Sequence, residues 1–171
     1  MQVVKNIFLG ILVLWFAFLA FMPKTELYYL LEKELLKNDI KLNEQSIDEG
    51  IFSLKLHGVK LFAKGVHIAD IKKVELVTFL GYTTFKIEEI VVDTLLSAQA
   101  PKEIKSIDIV HSILDATHIS IDANGSLGEV IGQVNLAQRK IRVDFQKSKE
   151  IYKIKNFLKK DKKGWYYEKT F

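Results

Sequence analysis

The sequence predicts a mainly β protein with flanking helices: an N-terminal transmembrane helix, an amphipathic helix, a curved antiparallel sheet and a C-terminal helix. Two observations lead to this prediction. A long uncharged apolar run lies near the start of the chain, and apolar residues then recur at every second position from residue 41 to 146, which is the period of a β-strand. We divide the chain into a membrane anchor, residues 1–23, and one β-rich domain, residues 24–171.

The apolar run extends from Ile7 to Met22 and contains no charged side chain. As a helix it covers about 24 Å, somewhat less than the roughly 30 Å of a bilayer's hydrocarbon core. Val3 and Val4 lengthen the apolar surface, and Lys5 can extend its ammonium group to the headgroups. The predicted anchor residues are Ile7, Phe8, Leu9, Ile11, Leu12, Val13, Leu14, Trp15, Phe16, Phe18, Leu19, Phe21 and Met22.

A cleaved signal peptide has the same basic start and apolar core. Cleavage needs small residues at alternate positions, and the triplet Phe18-Leu19-Ala20 has Phe at one of them, which favours an uncleaved anchor. The short flank with Lys5 predicts a cytoplasmic N-terminus. In a bacterium the β-rich domain then lies in the periplasm, held by a single span of the inner membrane. The absence of cysteine agrees with an oxidising compartment.

An amphipathic helix is predicted over residues 24–38. Pro23 ends the anchor helix, and Thr25 is a candidate N-cap for the next one. Four leucines at helical spacing form an apolar stripe: Leu27, Leu30, Leu31 and Leu35. The stripe either caps one end of the sheet, which we favour, or contacts lipid directly.

Residues 41–146 predict roughly seven or eight short strands with close connections, which implies antiparallel neighbours. The alternation slips by one residue at Gly58 and at Glu88-Glu89, which indicates a bulge or bend at each. One apolar and one polar face suit a curved sheet, either a half-barrel or a sandwich. An open apolar trough and a closed core remain alternatives. The candidate apolar face consists of Leu54, Leu56, Ile68, Leu76, Val134 and Val143.

The C-terminal segment, residues 147–171, is predicted to form a basic helix and a final strand. It carries nine lysines and three acidic residues, whereas the whole chain has a net charge of +4, so the basic character belongs to this segment. The helical spacing is set by Ile151, Ile154, Phe157 and Leu158. Such a helix either packs on the sheet, which we favour, or lies on anionic lipid. The final strand is predicted around Trp165-Tyr166-Tyr167.

Patterns typical of catalytic and cofactor sites are missing from the sequence. There is no cysteine for thiol catalysis and no GxSxG elbow for a serine hydrolase. The four histidines lack the HExxH pattern and are predicted to be exposed or hydrogen-bonded for structural reasons: His57, His67, His111 and His118. We therefore predict a protein that is not an enzyme, with no catalytic residue, no metal site and no cofactor.

Phosphate loops and nucleic-acid surfaces are not indicated either. Three glycines match no nucleotide-binding pattern and are predicted at turns or bulges: Gly125, Gly128 and Gly132. Basic residues with interleaved aromatics occur only in the tail, which is predicted outside the cytoplasm, so no nucleic-acid partner is expected.

Three segments carry a family resemblance: PKTELYYLLEKELLKNDIKLNEQSI, FSLKLHGVKLFAKGVHIADIKKVEL and GSLGEVIGQVNLAQRKIRVDFQKS. With the short anchor in front of them, they resemble the type II secretion system protein N family and its AsmA-like relatives. The resemblance implies an inner-membrane anchor, an amphipathic helix and a periplasmic curved sheet. It also implies an accessory role in secretion or envelope assembly, with lipid handling in the broader group.

Two functions follow as expectations. The first is an accessory or scaffold protein of a secretion or envelope-assembly system, whose sheet binds other envelope proteins. The second is a lipid-handling module, similar in plan to the anchored component of lipopolysaccharide transport, that holds acyl chains in an apolar trough. An open trough lined by residues such as Leu54, Leu56, Ile68 and Leu76 favours the second function, and a closed, well-packed core at these residues excludes it.

Overall fold

The computed structural model describes residues 2–94, 96, 101–146, 151–162 and 164–171. Helix α1 spans Gln2–Phe21, helix α2 spans Lys24–Leu36, and both precede one open antiparallel sheet of 11 strands. The predicted mainly β fold with an N-terminal apolar helix is confirmed. The strands are β1 Ile40–Asn43, β2 Ser46–Glu49, β3 Ser53–Ala63, β4 Val66–Phe79, β5 Tyr82–Val92, β6 Glu103–Ser112, β7 Asp115–Gly125, β8 Gly128–Asn135, β9 Lys140–Gln146, β10 Lys159–Asp161 and β11 Gly164–Thr170.

The sheet is a meander. Its order is β1-β3-β4-β5-β6-β7-β8-β9-β11-β10, with β2 also paired to β3, and all these pairs are antiparallel. Two of the hairpins are closed by Lys64-Gly65 and Leu80-Gly81, in which both residues have positive φ. These are the angles of a type I′ turn, whose twist matches that of the strands it joins. Local turn chemistry therefore explains why successive strands pair with each other.

A bend runs across β3, β4 and β5 at the positions where the sequence predicts that the alternation of apolar and polar residues shifts by one. Gly58 has φ 59° and Glu89 has φ 53°, and the register places Lys72 between them on the intervening strand. The register continues unchanged on both sides of this line, so the slip is a bend and not a bulge. Because the alternation shifts by one residue at the same line in all three strands, their apolar residues stay on one face of the sheet.

The buried core lies at one side of the sheet. Among the described residues, each buried hydrophobic side chain belongs to α1, α2 or strands β3 to β5. Tyr28 of α2 packs into this cluster and is 5% exposed, whereas Leu27 is 42% and Leu30 is 62% exposed. The predicted leucine stripe is therefore less buried than Tyr28, although Leu27 and Leu31 face the same apolar space against the sheet. The cluster consists of Tyr28, Leu54, Leu56, Val59 and Val74.

The prediction of a C-terminal helix is wrong for the described part of the segment. Residues 147–150 of that helix lie outside the described residues. Beyond them, Ile151–Lys153 and Lys155–Phe157 form single 3-10 turns, and β10 follows. β10 pairs with β11 across a turn that ends at Gly164, with φ 134°. This hairpin takes Lys159 and Lys160, the last residues of the predicted helix, into the sheet. The final strand is confirmed as β11.

Candidate functional site

Two rows of apolar residues cross the sheet on one face. Residues directly opposite each other in a sheet point to the same side, so the strand register defines each row. We call the two rows together the apolar face. The first row is Leu54, Leu76, Phe85, Ile109, Ile121, Gly132, Val143 and Tyr167. The second row is Leu56, Val74, Ile87, Ile107, Ala123, Val130, Phe145 and Trp165.

The two halves of the apolar face differ in burial. On β3 and β4, Leu54, Leu56 and Val74 are 5–7% exposed because α2 and its Tyr28 pack over them. On β6 to β9 and β11 the side chains of both rows are only half-buried. The face is therefore a covered core at one side and an open apolar surface at the other.

An apolar cavity of about 240 Å³ lies where α1, α2 and strands β3 to β5 meet. Leu19 and Met22 from the end of α1 form part of its wall, and Lys24 is the charged residue of the lining. The remaining wall residues are Leu27, Tyr28, Leu31, Phe52, Leu54, Leu56, Val74, Leu76, Thr78 and Phe85. The end of the anchor helix is thus part of the same apolar site as the sheet.

The six residues predicted for the apolar face fall into three groups. Leu54, Leu56 and Leu76 line the cavity together. Val143 lies in the first row and Val134 lies two residues from Gly132 on β8, so both are on the same face but several strands away from the cavity. Ile68 lies in the β-bulge between the pairs Leu61–Ala69 and Phe62–His67, outside the cavity lining.

Gly132 is part of the site although the sequence predicts it at a turn or bulge. It lies inside β8 with an unbroken register, and a Cβ there would stand 3.1 Å from Ile121 Cβ and 3.6 Å from Val143 Cγ2. Gly132 itself is buried, because the side chains of Ile121 and Val143 on the neighbouring strands close over this position. Its occurrence within an alternating stretch is the sequence signal, because glycine inside a strand often marks a close approach of another group.

A carboxylate from the sheet holds the start of α2. Glu49 of β2 accepts hydrogen bonds from the backbone N–H groups of Lys24 (3.1 Å) and Thr25 (3.4 Å) and from the Thr25 hydroxyl (2.5 Å). The Thr25 hydroxyl is the main reason that the pKa of Glu49 lies below its ordinary value. The sequence predicts Thr25 as the N-cap, but the N-cap position is Pro23. The acceptor for the first N–H groups of α2 is instead Glu49, on a strand more than twenty residues further along the chain. An anion at this position also interacts favourably with the helix dipole.

Tyr28 ties the middle of α2 to the chain between β1 and β2. Its hydroxyl donates a 2.7 Å hydrogen bond to Glu44 Oε2. Burial raises the pKa of Tyr28 far above its usual range, and the hydrogen bond to Glu44 raises it further. The hydroxyl therefore stays protonated and keeps donating at alkaline pH values at which an exposed tyrosine loses its proton. Two carboxylates, Glu44 and Glu49, thus hold α2 over the cavity.

The opposite face of the sheet carries charges that pair with one another. Glu75 accepts from Lys73 at 2.7 Å and contacts Lys55 at 3.3 Å. The hydrogen bond from Lys73, followed by that from Lys55, holds the pKa of Glu75 below its ordinary value. Pairs of this kind stabilise strand register but contribute little each, because they are partly exposed.

The histidines have ordinary structural partners, as predicted. His57 contacts Asp48, His118 contacts Asp115, and His67 contacts both Asp70 and Asp93, at distances between 2.7 and 3.3 Å. The ring of His111 lies 3.2 Å from the Ala116 carbonyl. Within the described ranges, no group of three or more His, Asp or Glu side chains is arranged to hold a metal ion.

Helix α1 is long and apolar enough to cross a membrane, with a mean hydropathy of 2.2. Its side chains are largely exposed to the surroundings; Phe8 is 66% and Leu14 is 71% exposed. The comparisons with protein-family models, with curated proteins and with solved structures found no match. The chemistry of the site must therefore be inferred from its own geometry.

Proposed function

We propose that this protein is a membrane-anchored lipid-binding protein that is not an enzyme. In this proposal α1 anchors the chain in the bilayer and the apolar face of the sheet holds acyl chains. The observation that supports it is the continuity of the apolar face, which begins at a cavity beside the end of α1 and continues across the strands to β11.

The position of the cavity favours a ligand from the bilayer. Leu19 and Met22 belong to the membrane anchor and at the same time line the cavity. An acyl chain that leaves the bilayer along α1 meets an apolar surface without crossing water. Each buried CH₂ group is worth about 0.8 kcal/mol, so several methylenes suffice for measurable binding.

The open half of the apolar face also supports lipid binding. A soluble protein rarely leaves a large contiguous apolar surface in water. Along β6 to β9 the side chains of the face are half-buried within the described part of the chain. An acyl chain lying across these strands would shield the face from water. At Leu54, Leu56 and Leu76, where a closed core would exclude lipid handling, the side chains line the apolar cavity of about 240 Å³.

The sheet edges favour lipid over a protein strand as ligand. β10 has three residues, two of them Lys159 and Lys160, and β1 on the other side has four residues including Lys41. Short edge strands with outward lysines are a common device against the addition of a further strand. The scaffold function remains a prediction from the family resemblance, and no edge of the described sheet favours it.

We place the β-rich domain in the periplasm of a bacterium, held to the inner membrane by α1. The support is the basic flank with Lys5 before the apolar run, which favours a cytoplasmic N-terminus. The lipid-binding face would then act close to the outer surface of that membrane, because α2 begins three residues after α1 ends.

Photo-crosslinking in cells tests this function. The photoreactive amino acid p-benzoylphenylalanine replaces Phe85 in the cavity or Phe145 in the open half of the face, where its aromatic ring resembles the natural one. Tyr166, an aromatic residue of the polar face next to Trp165, is the matched control, and Phe8 in α1 reports contact with the bilayer. We expect lipid adducts at Phe85, Phe145 and Phe8, and at least fivefold fewer at Tyr166.

Mass spectrometry of the crosslinked chain identifies the adducts. Lipid adducts at Phe8 without any at Phe85 or Phe145 would contradict the proposal, because the anchor would be in the bilayer and the face empty. Protein adducts at Phe145 in place of lipid would favour the scaffold function.

A further inference from the structure

The hairpin turns at one end of the sheet are apolar and exposed. In an antiparallel meander alternate connections lie at the same end, and backbone bonds from Ile113 N–H to the Gly81 carbonyl and from Phe171 N–H to the Arg139 carbonyl join these connections. Leu114 at the tip of the β6–β7 turn is 95% exposed, and its neighbour Ile113 is 62% exposed. We call the following set the apolar rim: Ile51, Leu80, Ile113, Leu114, Leu136 and Phe171.

The other end of the sheet differs in character. The β3–β4 turn is Lys64-Gly65, the β5–β6 connection ends in Lys102, and the β7–β8 turn contains Ser126. Val66 is an exposed large hydrophobic residue at this end, with 49% of its surface accessible. The chain that leaves β9 at this end also exposes Tyr152 (70%) and Phe157 (75%). Among the described hairpin turns, however, those with exposed apolar residues at the tip lie at the end of the apolar rim.

Helix α1 contacts the sheet at the end that carries the apolar rim. The ring of Phe16 packs edge-on against Phe52, before β3, and against Phe79, at the end of β4, with centroids 6.2 and 5.8 Å apart. Phe16 lies five residues before the end of α1 at Phe21, which is about 8 Å along a helix. The turns next to Phe79 are therefore level with the last part of the apolar span and not above it.

From this contact we infer that the apolar rim inserts into the leaflet from which the domain emerges. If α1 spans the bilayer, its contact through Phe16 puts the adjacent turns at the depth of the headgroups and first methylenes. Partly buried apolar side chains at that depth, about 5–10 Å into the interface, are typical of peripheral membrane contacts. Tyr82, half exposed beside Leu80, and the exposed Arg139 are residue types that this interface accepts.

Shallow insertion also agrees with the backbone of the turns. Peptide groups at hairpin tips lack strand partners, and deep hydrocarbon does not hydrate them. At headgroup depth water and lipid phosphates satisfy these groups while the side chains reach the acyl region. The inference requires α1 to lie in a bilayer, but it does not require an acyl chain on the sheet, so the two proposals stand or fall separately.

Depth-dependent fluorescence quenching tests the rim. The chain has no cysteine, so the single-cysteine variants Leu114→Cys and Leu136→Cys can each carry one environment-sensitive fluorophore. Val66→Cys is the matched control for Leu136→Cys, since Val66 is 49% and Leu136 is 42% exposed, but Val66 lies at the far end of the sheet. The labelled full-length protein is placed in nanodiscs with and without phospholipids that carry a spin label near the headgroup end of the acyl chain.

We expect the lipid-borne quencher to reduce the emission at positions 114 and 136 at least threefold more than at position 66. Equal quenching at all three positions would overturn the inference, because the sheet would then lie flat on the bilayer or away from it. Because both rim residues are exposed, cysteine there leaves the core unchanged, and the labels report position and not folding.

Discussion

The covered and the open halves of the apolar face are built from the same kinds of residue. Val74 on β4 and Val143 on β9 belong to the same face, but Val74 is 7% exposed beneath the α2 cluster, whereas Val143 is half-buried. The difference comes from α2, which packs over β1, β2 and β3. One alternating pattern can therefore form a core or a surface, depending on which element packs above it.

If the proposed function holds, the packed cluster of the covered half contributes mainly to stability, whereas the open half contributes mainly to lipid contact. Tight packing makes each lost methyl group costly in the covered half. In the open half the same methyl groups still contact water in the described structure, so their removal leaves no closed cavity. We therefore expect substitutions in the two halves to separate folding from lipid contact.

The largest difference is expected between Val74→Ala and Val143→Ala. Removal of two buried methyl groups at about 0.8 kcal/mol per group, with some cavity cost, predicts a loss of about 2 kcal/mol for Val74→Ala. The same change at half-buried Val143 should cost less than about 1 kcal/mol. Urea unfolding of the detergent-solubilised chain measures both free energies, and equal losses would show that the two halves are packed alike.

Tyr28→Phe probes the contact that holds α2 over the covered half. Loss of the hydrogen bond to Glu44 should lower the free energy of unfolding by about 1–2 kcal/mol at pH 7. The raised pKa also has a consequence at alkaline pH. Above the ordinary tyrosine pKa of 10.0 the unfolded chain loses a proton that the folded chain retains, so stability should fall as pH rises, by up to about 1.4 kcal/mol per pH unit.

Urea midpoints between pH 8 and 11 measure this slope, which should be shallower in Tyr28→Phe than in the unchanged protein. Tyr29→Phe, on an exposed neighbour of the same helix, is the control and should keep the slope. Identical slopes in the unchanged protein and in Tyr28→Phe would contradict the role assigned to the buried hydroxyl.

The smallest effect is expected at the start of α2. Glu49→Gln weakens the acceptor for the first N–H groups of the helix, so the amides of Lys24 and Thr25 should exchange with solvent faster while the sheet is unaffected. The lowered pKa of Glu49 means that its contribution is present above the ordinary carboxyl pKa and is lost as pH falls through the value in the folded state. Hydrogen exchange followed by mass spectrometry measures this change.

Glu26→Gln, an exposed carboxylate in the first turn of α2, is the matched control for Glu49→Gln. Equal acceleration by both substitutions would mean that the helix dipole, and not the contact with β2, explains the protection.

Local features account for much of the fold. The two-residue period, the type I′ turns at Lys64-Gly65 and Leu80-Gly81, and the slips at Gly58 and Glu89 each depend on neighbouring residues, and the alternation around them is visible in the sequence. Residue spacing alone does not predict the backbone of the C-terminal segment. Ile151 to Leu158 have helical spacing, but the described residues there form two single 3-10 turns, and β10 follows them.

The candidate site was predictable only in part. Leu54, Leu56 and Leu76 were predicted on an apolar face and line the cavity, but Tyr28 and Gly132 were missed because their roles depend on partners far along the chain. Tyr28 is buried because Glu44 and β3 approach it from other elements. Gly132 is enclosed because Ile121 and Val143 approach it from the neighbouring strands, which leaves no room for a side chain.

Hydrophobic period and turn geometry act over a few residues. They are therefore sufficient to predict an apolar helix followed by a meander with one apolar face. Which part of that face is core and which is open becomes visible only in the tertiary structure. That outcome depends on where α2 docks, and α2 is held by Glu44 and Glu49 through contacts across 16 to 25 residues of chain. Burial is a property of what packs above a residue, and no local pattern encodes it.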